Sequence, residues 1–140
     1  MGDPPVRRGL IDTSVLIDLE RIDPLALPAE LAISAVSLAE LAAGPHATSD
    51  SIERAARQDR LQRAEATFDP LPFDVSAARA FGRVYAAVCA SGRKPRGRRA
   101  FDLLIAATSI SAGVPLFTQN PKDFAGLDAL LDVEPVAQPG

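Results

Sequence analysis

Residues 9–19 change within a few positions from the pattern of a strand to the pattern of a helix. Leu10 and Ile11 form a short apolar run typical of a buried strand, and two hydroxyl residues able to cap a helix follow Asp12. In an open parallel sheet, a strand-to-helix turn of this kind lies at the carboxyl end of the strand, where ligands bind. Asp12 is therefore either a helix cap or the first member of a functional site.

Short apolar runs alternate with helical segments along the rest of the chain. Strands are predicted near residues 31–34, 71–73, 114–118 and 131–134, and helices over residues 13–21, 36–43, 49–67, 75–91 and 100–112. Pro72 lacks a backbone donor, so the strand at 71–73 is expected to be peripheral. This alternation indicates a parallel sheet covered by helices on both faces. We expect one α/β domain over residues 1–140, with three α/β/α layers and a short central sheet of four to five strands.

The composition narrows the function classes. Hydrophobic residues make up 47% of the 140 positions, which excludes a disordered chain and suits one compact domain. The only cysteine is Cys89 and the only histidine is His46, so an internal disulfide, a Cys- or His-based metal site and a His triad are excluded. We see no secretion signal and no apolar run suited to a membrane span, and we expect a cytoplasmic protein without a membrane partner.

Three further carboxylates stand where a purely structural explanation is incomplete. Glu40 is the only charge in the apolar helical run 36–43, although it could face solvent. Asp102 is the only charge in the apolar run 101–107, and in the first turn of a helix the dipole would favour it by about 0.3–1 kcal/mol. Asp123 follows the strand at 114–118, where it could also stabilise a turn. Together with Asp12, these acids are predicted to converge on one edge of the sheet.

Carboxylates gathered in one cleft repel each other. Two unit charges about 4 Å apart cost roughly 4 kcal/mol at an effective dielectric near 20, so the cluster needs a shared proton or a bound cation. Oxygen ligands without His or Cys favour Mg²⁺ or Mn²⁺. Such an ion lowers the pKa of a bound water and neutralises charge on a phosphoryl oxygen. The pattern therefore suits phosphodiester cleavage.

Five segments in a fixed order carry a family resemblance that covers nearly the whole chain. They are residues 10–14 (LIDTS), 34–41 (SAVSLAEL), 71–74 (LPFD), 101–108 (FDLLIAAT) and 118–124 (TQNPKDF). In this order and spacing they resemble a PIN domain, and more narrowly a VapC-type ribonuclease toxin of a prokaryotic toxin–antitoxin pair. The resemblance implies a Mg²⁺- or Mn²⁺-dependent endoribonuclease that cleaves structured RNA such as tRNA or rRNA. It also implies a homodimer restrained by a cognate antitoxin, for which the charged helical region 49–68 is expected to form part of a groove.

The resemblance also assigns residues to the site. Metal ligation is carried over to Asp12, Glu40 and Asp102, and the fourth position is completed by Asp123 or Asn120. Of these two, Asp123 is counted with the catalytic acids and Asn120 with the supporting residues. Further supporting hydrogen bonds are expected from three hydroxyl residues, Thr13, Ser14 and Thr118.

A basic stretch comes just before the segment that carries Asp102. Its cations are Arg93, Lys94, Arg96, Arg98 and Arg99. Phosphate contacts from these side chains would give sequence-independent, salt-dependent affinity for RNA, although a solvated loop can have the same charge. No base-reading aromatic residue is evident, so recognition is expected to depend on the shape of the RNA.

Two other function classes remain open. An aspartyl phosphatase also carries its nucleophilic aspartate after the first strand, but that chemistry needs a second aspartate two residues later, where this chain has Ser14. A catalytically silent binding protein with the same fold is the non-enzymatic alternative. The presence of all three core acids, Asp12, Glu40 and Asp102, argues against it.

Overall fold

The structure, a computed structural model, describes residues 7–140. Its sheet consists of four short strands, Arg8–Ile11 (β1), Glu30–Ala32 (β2), Leu116–Thr118 (β3) and Val133–Pro135 (β4). Neighbouring strands are all parallel, and their spatial order is β2-β1-β3-β4. Leu10 pairs with Ala32 on one side and with Leu116 on the other. The predicted parallel sheet is confirmed, with β1 at an inner position.

Helices surround this sheet, and most of them begin at a side chain that accepts hydrogen bonds. The five α-helices are Thr13–Ile17 (α1), Ala35–Ala43 (α2), Ser51–Thr67 (α3), Val75–Ala90 (α4) and Arg98–Ala112 (α5). The first four are capped by Asp12, Ser34, Asp50 and Asp74, whose side chains accept backbone N–H groups of the first turn. Such caps satisfy donors that the helix itself leaves unpaired. Within residues 7–140, no helix has the length and apolar character needed to cross a membrane.

The structure differs from the predicted elements in three places. The first helix ends at Ile17, and a separate 3-10 turn covers Leu19–Arg21. Residues 71–73 form no strand, because Leu71 makes only an isolated parallel bridge with Ser34 and the next residue is a proline without a donor. The last helix begins two residues before its predicted start, so Arg98 and Arg99 belong to α5 and not to the basic loop.

Two apolar clusters cover the two faces of the sheet. Successive side chains of a strand point to opposite faces. Leu10 accordingly joins the cluster formed with α4 and α5, which includes Val84 and Leu103. Ile11 joins the other cluster, which contains side chains of α1, α2 and α3 such as Val15 and Leu41. The structure therefore has the predicted three layers.

Gly9 lets β1 approach the aromatic ring of Phe117 closely. A Cβ atom at this position would lie 2.5 Å from Cε1 of Phe117 and 3.0 Å from Cγ of Pro28. Phe117 lies on β3, and its carbonyl oxygen accepts the N–H of Asp12 at 3.0 Å. The contact between Gly9 and Phe117 thus helps to set how Asp12 sits relative to the end of β3.

Candidate active site

Asp12 caps α1 and is almost completely buried, with an exposed fraction of 4%. Its Oδ1 accepts hydrogen bonds from Oγ of Ser14 at 2.6 Å and from the N–H of Val15 at 3.1 Å. Ser14 Oγ in turn accepts the N–H of Gln119 at 3.3 Å, which ties α1 to the end of β3. Gln119 is not among the predicted residues, and its buried Nε2 has no acceptor within residues 7–140. Asp12 is therefore both a helix cap and part of a larger polar network.

Glu40 is half-buried and is held by two hydroxyl groups in series. Oγ1 of Thr13 donates to Oε1 of Glu40 at 2.7 Å, and Oγ of Ser37 lies 2.9 Å from the same Thr13 oxygen. Because the single hydroxyl proton of Thr13 goes to Glu40, Ser37 is the donor to Thr13. Ser37 is fully buried. The prediction omits Ser37, although a polar residue three positions before Glu40 on an apolar helix shares its face and is a usable signal.

Asp102 lies in the second turn of α5. The expectation of a first-turn position is wrong, because the helix begins at Arg98 and has no acidic residue in its first turn. The helix dipole acts mainly within the first turn, so it no longer accounts for this carboxylate. The pKa of Asp102 is raised to about 7, first by burial and then by the charges of Asp123, Asp12 and Glu40, with Arg98 opposing the shift.

The structure brings the four predicted acids into one electrostatic group, called here the acid cluster: Asp12, Glu40, Asp102 and Asp123. Burial also raises the pKa of Asp12, with a smaller contribution from Asp123, while hydrogen bonds from Ser14, Thr118 and Val15 lower it. Asp123 lies in the 3-10 turn Pro121–Phe124 after β3. Asn120 is exposed, and its backbone N–H donates to Oγ1 of Thr118 at 2.9 Å. Of the two candidates for the fourth position, Asp123 is the one whose charge acts on Asp12 and Asp102.

The donor chemistry of the acid cluster fits a hard divalent cation such as Mg²⁺ or Mn²⁺, because every donor is a carboxylate oxygen. The mutual repulsion that raises the pKa of Asp102 is what a bound cation would remove. Over residues 7–140, however, no three His, Cys, Asp or Glu side chains are arranged so that they could hold an ion. In the conformations that the structure describes, three of these acids therefore do not surround one point.

A pocket of about 380 Å³ adjoins the acid cluster on the side of Glu40. Thr13 and Glu40 line it together with three arginines, Arg57, Arg60 and Arg98. Arg57 is fixed by a bond from Nη1 to the carbonyl oxygen of Gly44 at 2.9 Å and by its pairing with Glu53 at 3.0 Å. Only Arg98 of these three was predicted, since the other two lie on α3, far in sequence from the acids that follow strands.

The basic loop is fastened to the turn that carries Asp123. Nη1 of Arg93 donates to the carbonyl oxygen of Lys122 at 2.7 Å, and Lys122 is the immediate neighbour of Asp123. Two of the cations predicted from the sequence to bind RNA thus lie near the acids: Arg93 contacts the turn that carries Asp123, and Arg98 lines the pocket with Glu40.

Comparisons with known proteins agree with this architecture. The sequence matches the PIN domain family over residues 9–130. It is 38% identical over 129 residues to Ribonuclease VapC5 of Mycobacterium tuberculosis, covering 90% of this chain and 92% of that protein. It is 32% identical over 127 residues to Ribonuclease VapC of Rickettsia bellii, covering 86% of this chain and 91% of that protein.

Solved structures show the same likeness. One chain in the crystal structure of VapBC-5 from Mycobacterium tuberculosis, a member of the VapBC family of toxin–antitoxin systems, matches with a TM-score of 0.79 and 37% identity. The match covers 96% of this chain and 100% of that chain. FitAcB from Neisseria gonorrhoeae matches with a TM-score of 0.70 at 23% identity, covering 93% of this chain and 96% of that chain, and shares the fold.

Proposed function

This chain belongs to the PIN-domain family and, within it, to the VapC ribonucleases; on that premise we propose that it is a Mg²⁺- or Mn²⁺-dependent endoribonuclease and the toxin of a toxin–antitoxin pair. One observation carries the proposal. Four carboxylates from separate segments act on one another at one edge of the sheet, where burial and the other three charges raise the pKa of Asp102 to about 7. Repulsion between these carboxylates lowers the stability of the fold. Their presence together therefore indicates a function.

The acid cluster would supply the ligands of the cation. When bound, the cation supplies charge neutralisation at the phosphodiester and a lowered pKa for an attacking water. The chain's own residues orient the acids: Ser14 fixes Asp12, and Thr13 fixes Glu40. Partners of this kind typically change metal affinity or activity by about 10–100-fold when they are removed.

The proposed substrate is structured RNA, such as tRNA or rRNA, which places the reaction in the cytoplasm. Support comes from two cations near the acid cluster, with Arg98 at the pocket beside Glu40 and Arg93 tied to the turn that carries Asp123. Guanidinium groups bind phosphate with fixed geometry. A strand bound by these arginines would lie beside the acid cluster.

The proposed partner is an antitoxin, and the groove between α1 and α3 supports this. The groove has a volume of about 490 Å³ and an apolar lining that includes Leu16 and Phe68. Its arginines Arg21 and Arg63 pair with acids of the same lining, whereas Arg60 forms no ion pair within residues 7–140. It would suit a segment that carries apolar and acidic side chains. The groove includes the C-terminal part of the region 49–68 that the sequence analysis assigns to this partner.

We also propose a homodimer. The family resemblance is what supports a second copy. Two exposed apolar residues that flank Asp74 at the start of α4, Phe73 at 37% and Val75 at 67%, are candidates for that contact. Light scattering on the purified chain measures the mass directly.

Cleavage of RNA by the purified full chain tests the activity. Wild type is compared with Asp12→Asn and with Asp128→Asn, an exposed acid with no hydrogen bond or ion pair among residues 7–140. Reactions contain tRNA or rRNA with Mg²⁺, with Mn²⁺ or with EDTA. We expect metal-dependent cleavage by wild type and Asp128→Asn, absence of cleavage with EDTA, and a loss of about 10²-fold or more in Asp12→Asn.

The folded state of each variant is checked by circular dichroism, so that loss of activity is not loss of structure. Absence of cleavage by folded, partner-free wild type under all conditions would overturn the nuclease proposal. The favoured function would then be that of a catalytically silent binding protein with the same fold.

A further inference from the structure

The basic loop and α4 enclose a second pocket, of about 580 Å³, away from Glu40. Its lining consists of Tyr85, Cys89, Gly92, Arg93, Lys94, Pro95 and Arg96. All three charged side chains of this lining are cations, in contrast to the pocket beside Glu40, where acids and arginines are mixed. The pocket therefore favours an anionic ligand.

The turn after α4 brings the loop cations back to Tyr85. Gly92 has a φ of 81°, a conformation that glycine adopts without strain. The N–H of Arg93 then donates to the carbonyl oxygen of Val88 at 3.2 Å, so the loop folds onto the last turns of the helix. This return places an aromatic ring among cations that follow it by 8 to 11 positions.

Tyr85 is held on one side and open on the other. Its ring packs against Phe81 with the centroids 6.1 Å apart and the planes tilted by 54°, while 46% of the residue is exposed. A packed ring with an accessible surface can stack with a base of any sequence, since every base has a π-face. Cations beside it supply the phosphate contacts that single-stranded nucleic acids require.

We propose that this pocket binds one unpaired nucleotide of the RNA, with the base stacked on Tyr85 and the phosphate contacted by Arg93, Lys94 and Arg96. The inference deepens the proposed ribonuclease function and rests on it for the identity of the ligand. It adds an aromatic residue, Tyr85, that the sequence does not place beside the basic stretch. Because stacking is independent of base identity, the expectation that recognition depends on the shape of the RNA stays a prediction.

The pocket is linked to the turn that carries Asp123 of the acid cluster. Arg93 both lines the pocket and donates to the carbonyl oxygen of Lys122, next to Asp123. A nucleotide held here would position the neighbouring part of the strand toward the acids. We therefore assign Tyr85 a positioning role and no part in the chemical step.

Binding of a fluorescein-labelled ten-nucleotide oligouridylate in EDTA separates stacking from charge. Tyr85→Leu is expected to weaken binding roughly 5- to 100-fold, whereas Tyr85→Phe keeps the affinity of the wild type. Phe101→Leu is the matched control, because Phe101 is an aromatic residue of α5 with the same exposed fraction of 46% and does not line the pocket. Lys94→Gln is expected to reduce the slope of log affinity against log salt by about 0.7, and Tyr85→Leu to leave that slope unchanged.

Cys89 gives a second measurement, since it is the only cysteine of the chain, is exposed and lines the pocket. Saturating oligouridylate is expected to slow alkylation of wild-type Cys89 by iodoacetamide, with no such protection in Tyr85→Leu at the same RNA concentration. Unchanged alkylation of wild type with RNA bound would overturn the proposal, as would wild-type affinity in Tyr85→Leu. Slow alkylation of Cys89 in wild type even without RNA would also overturn the proposal, because another copy of the chain would then cover the pocket.

The cleavage assay keeps this inference distinct from the proposed function. Metal-dependent cleavage without protection of Cys89 would reject the nucleotide pocket and support the ribonuclease proposal. Protection of Cys89 without cleavage would support an RNA-binding pocket and reject the ribonuclease proposal.

Discussion

Oγ1 of Thr13 lies 2.7 Å from Oε1 of Glu40 and links α1 to α2 across 27 positions of sequence. Ser37 stands behind Thr13 and donates to it, so the hydroxyl chain has one direction and ends on the carboxylate. Hydrogen bonds to charged acceptors are stronger than those between neutral groups. The chain therefore fixes one oxygen of Glu40 relative to the start of α1, next to Asp12.

Thr13→Val is predicted to impair the site while keeping the shape of the side chain. The variant loses the donor to Glu40 and leaves the buried Ser37 hydroxyl without its acceptor, at a cost of about 1–3 kcal/mol in the free energy of unfolding. Cleavage should fall by about 10–100-fold, and Thr13→Ser should restore most of it. Steady-state cleavage rates and urea denaturation measure the two effects.

The exposed hydroxyl pair formed by Ser111 and Ser76, 2.8 Å apart, offers the control. Ser111→Ala removes a hydrogen bond of similar length far from the acid cluster and should leave cleavage unchanged. Equal activity of Thr13→Val and wild type would show that Glu40 needs no support from this chain of hydroxyls.

The metal-free protein is predicted to lose stability as the pH rises from about 4 to about 7. In the unfolded chain the Asp102 carboxyl ionises near the ordinary aspartate pKa of 3.8, whereas in the folded protein its pKa is about 7. Between these values the unfolded state binds fewer protons, so the free energy of unfolding falls with pH and then levels off. Asp102→Asn should remove part of this fall and stabilise the protein above pH 7 by roughly 1–2 kcal/mol, after allowance for solvent screening.

Urea denaturation in EDTA at several pH values measures this slope. Asp12 contributes in the same direction because its pKa is also raised, so Asp102→Asn reduces the slope without abolishing it. The exposed Asp128→Asn is the control and should follow the wild-type curve. A wild-type stability that rises between pH 4 and pH 7 would contradict the arrangement of charges described for the acid cluster.

Gly9→Ala is predicted to destabilise the fold by about 1–3 kcal/mol, the usual cost of overpacking. The new Cβ would lie 2.5 Å from Cε1 of Phe117, and the ring would have to move within the core. Gly82→Ala is the control, since Gly82 lies within α4 and a Cβ there meets nothing within 4 Å. That variant should gain up to about 1 kcal/mol in helix stability.

Thermal or urea unfolding of both variants measures these two opposite changes in the free energy of unfolding. Gly9→Ala combined with Phe117→Leu should recover part of the lost stability, because the smaller side chain makes room for the methyl group. Destabilisation of both glycine variants by the same amount would mean that the close approach to Phe117 is not the cause.

The elements that the sequence predicts well are those with local signals. Asp12, Ser34 and Asp74 each accept from the first turn of a helix, and residues of this type before an apolar repeat mark a helix start. The start of α5 lacks such a signal, because Gly97 provides no side-chain cap. For that reason the sequence predicts the helix start two residues late, which wrongly places Asp102 in the first turn.

In the candidate site, too, some residues have a local sequence signal and others do not. The acids stand out because each is isolated among apolar residues or follows a strand, and the family resemblance adds their order. Residues such as Arg57, on α3, and Tyr85, on α4, reach their pockets only through helix packing and the return of a loop. Their spacing along the chain does not indicate these contacts, which only the tertiary structure shows.

The pairing of Leu10 with Leu116 has a consequence for the chain during its synthesis. A growing chain acquires Asp12 and Glu40 early, but it cannot form the edge on which all four acids meet until β3 and Asp123 have been made. The proposed nuclease would thus stay inactive on the ribosome until at least 123 residues exist. Sheet topology would in this way protect the translating ribosome and its RNA from the protein being produced.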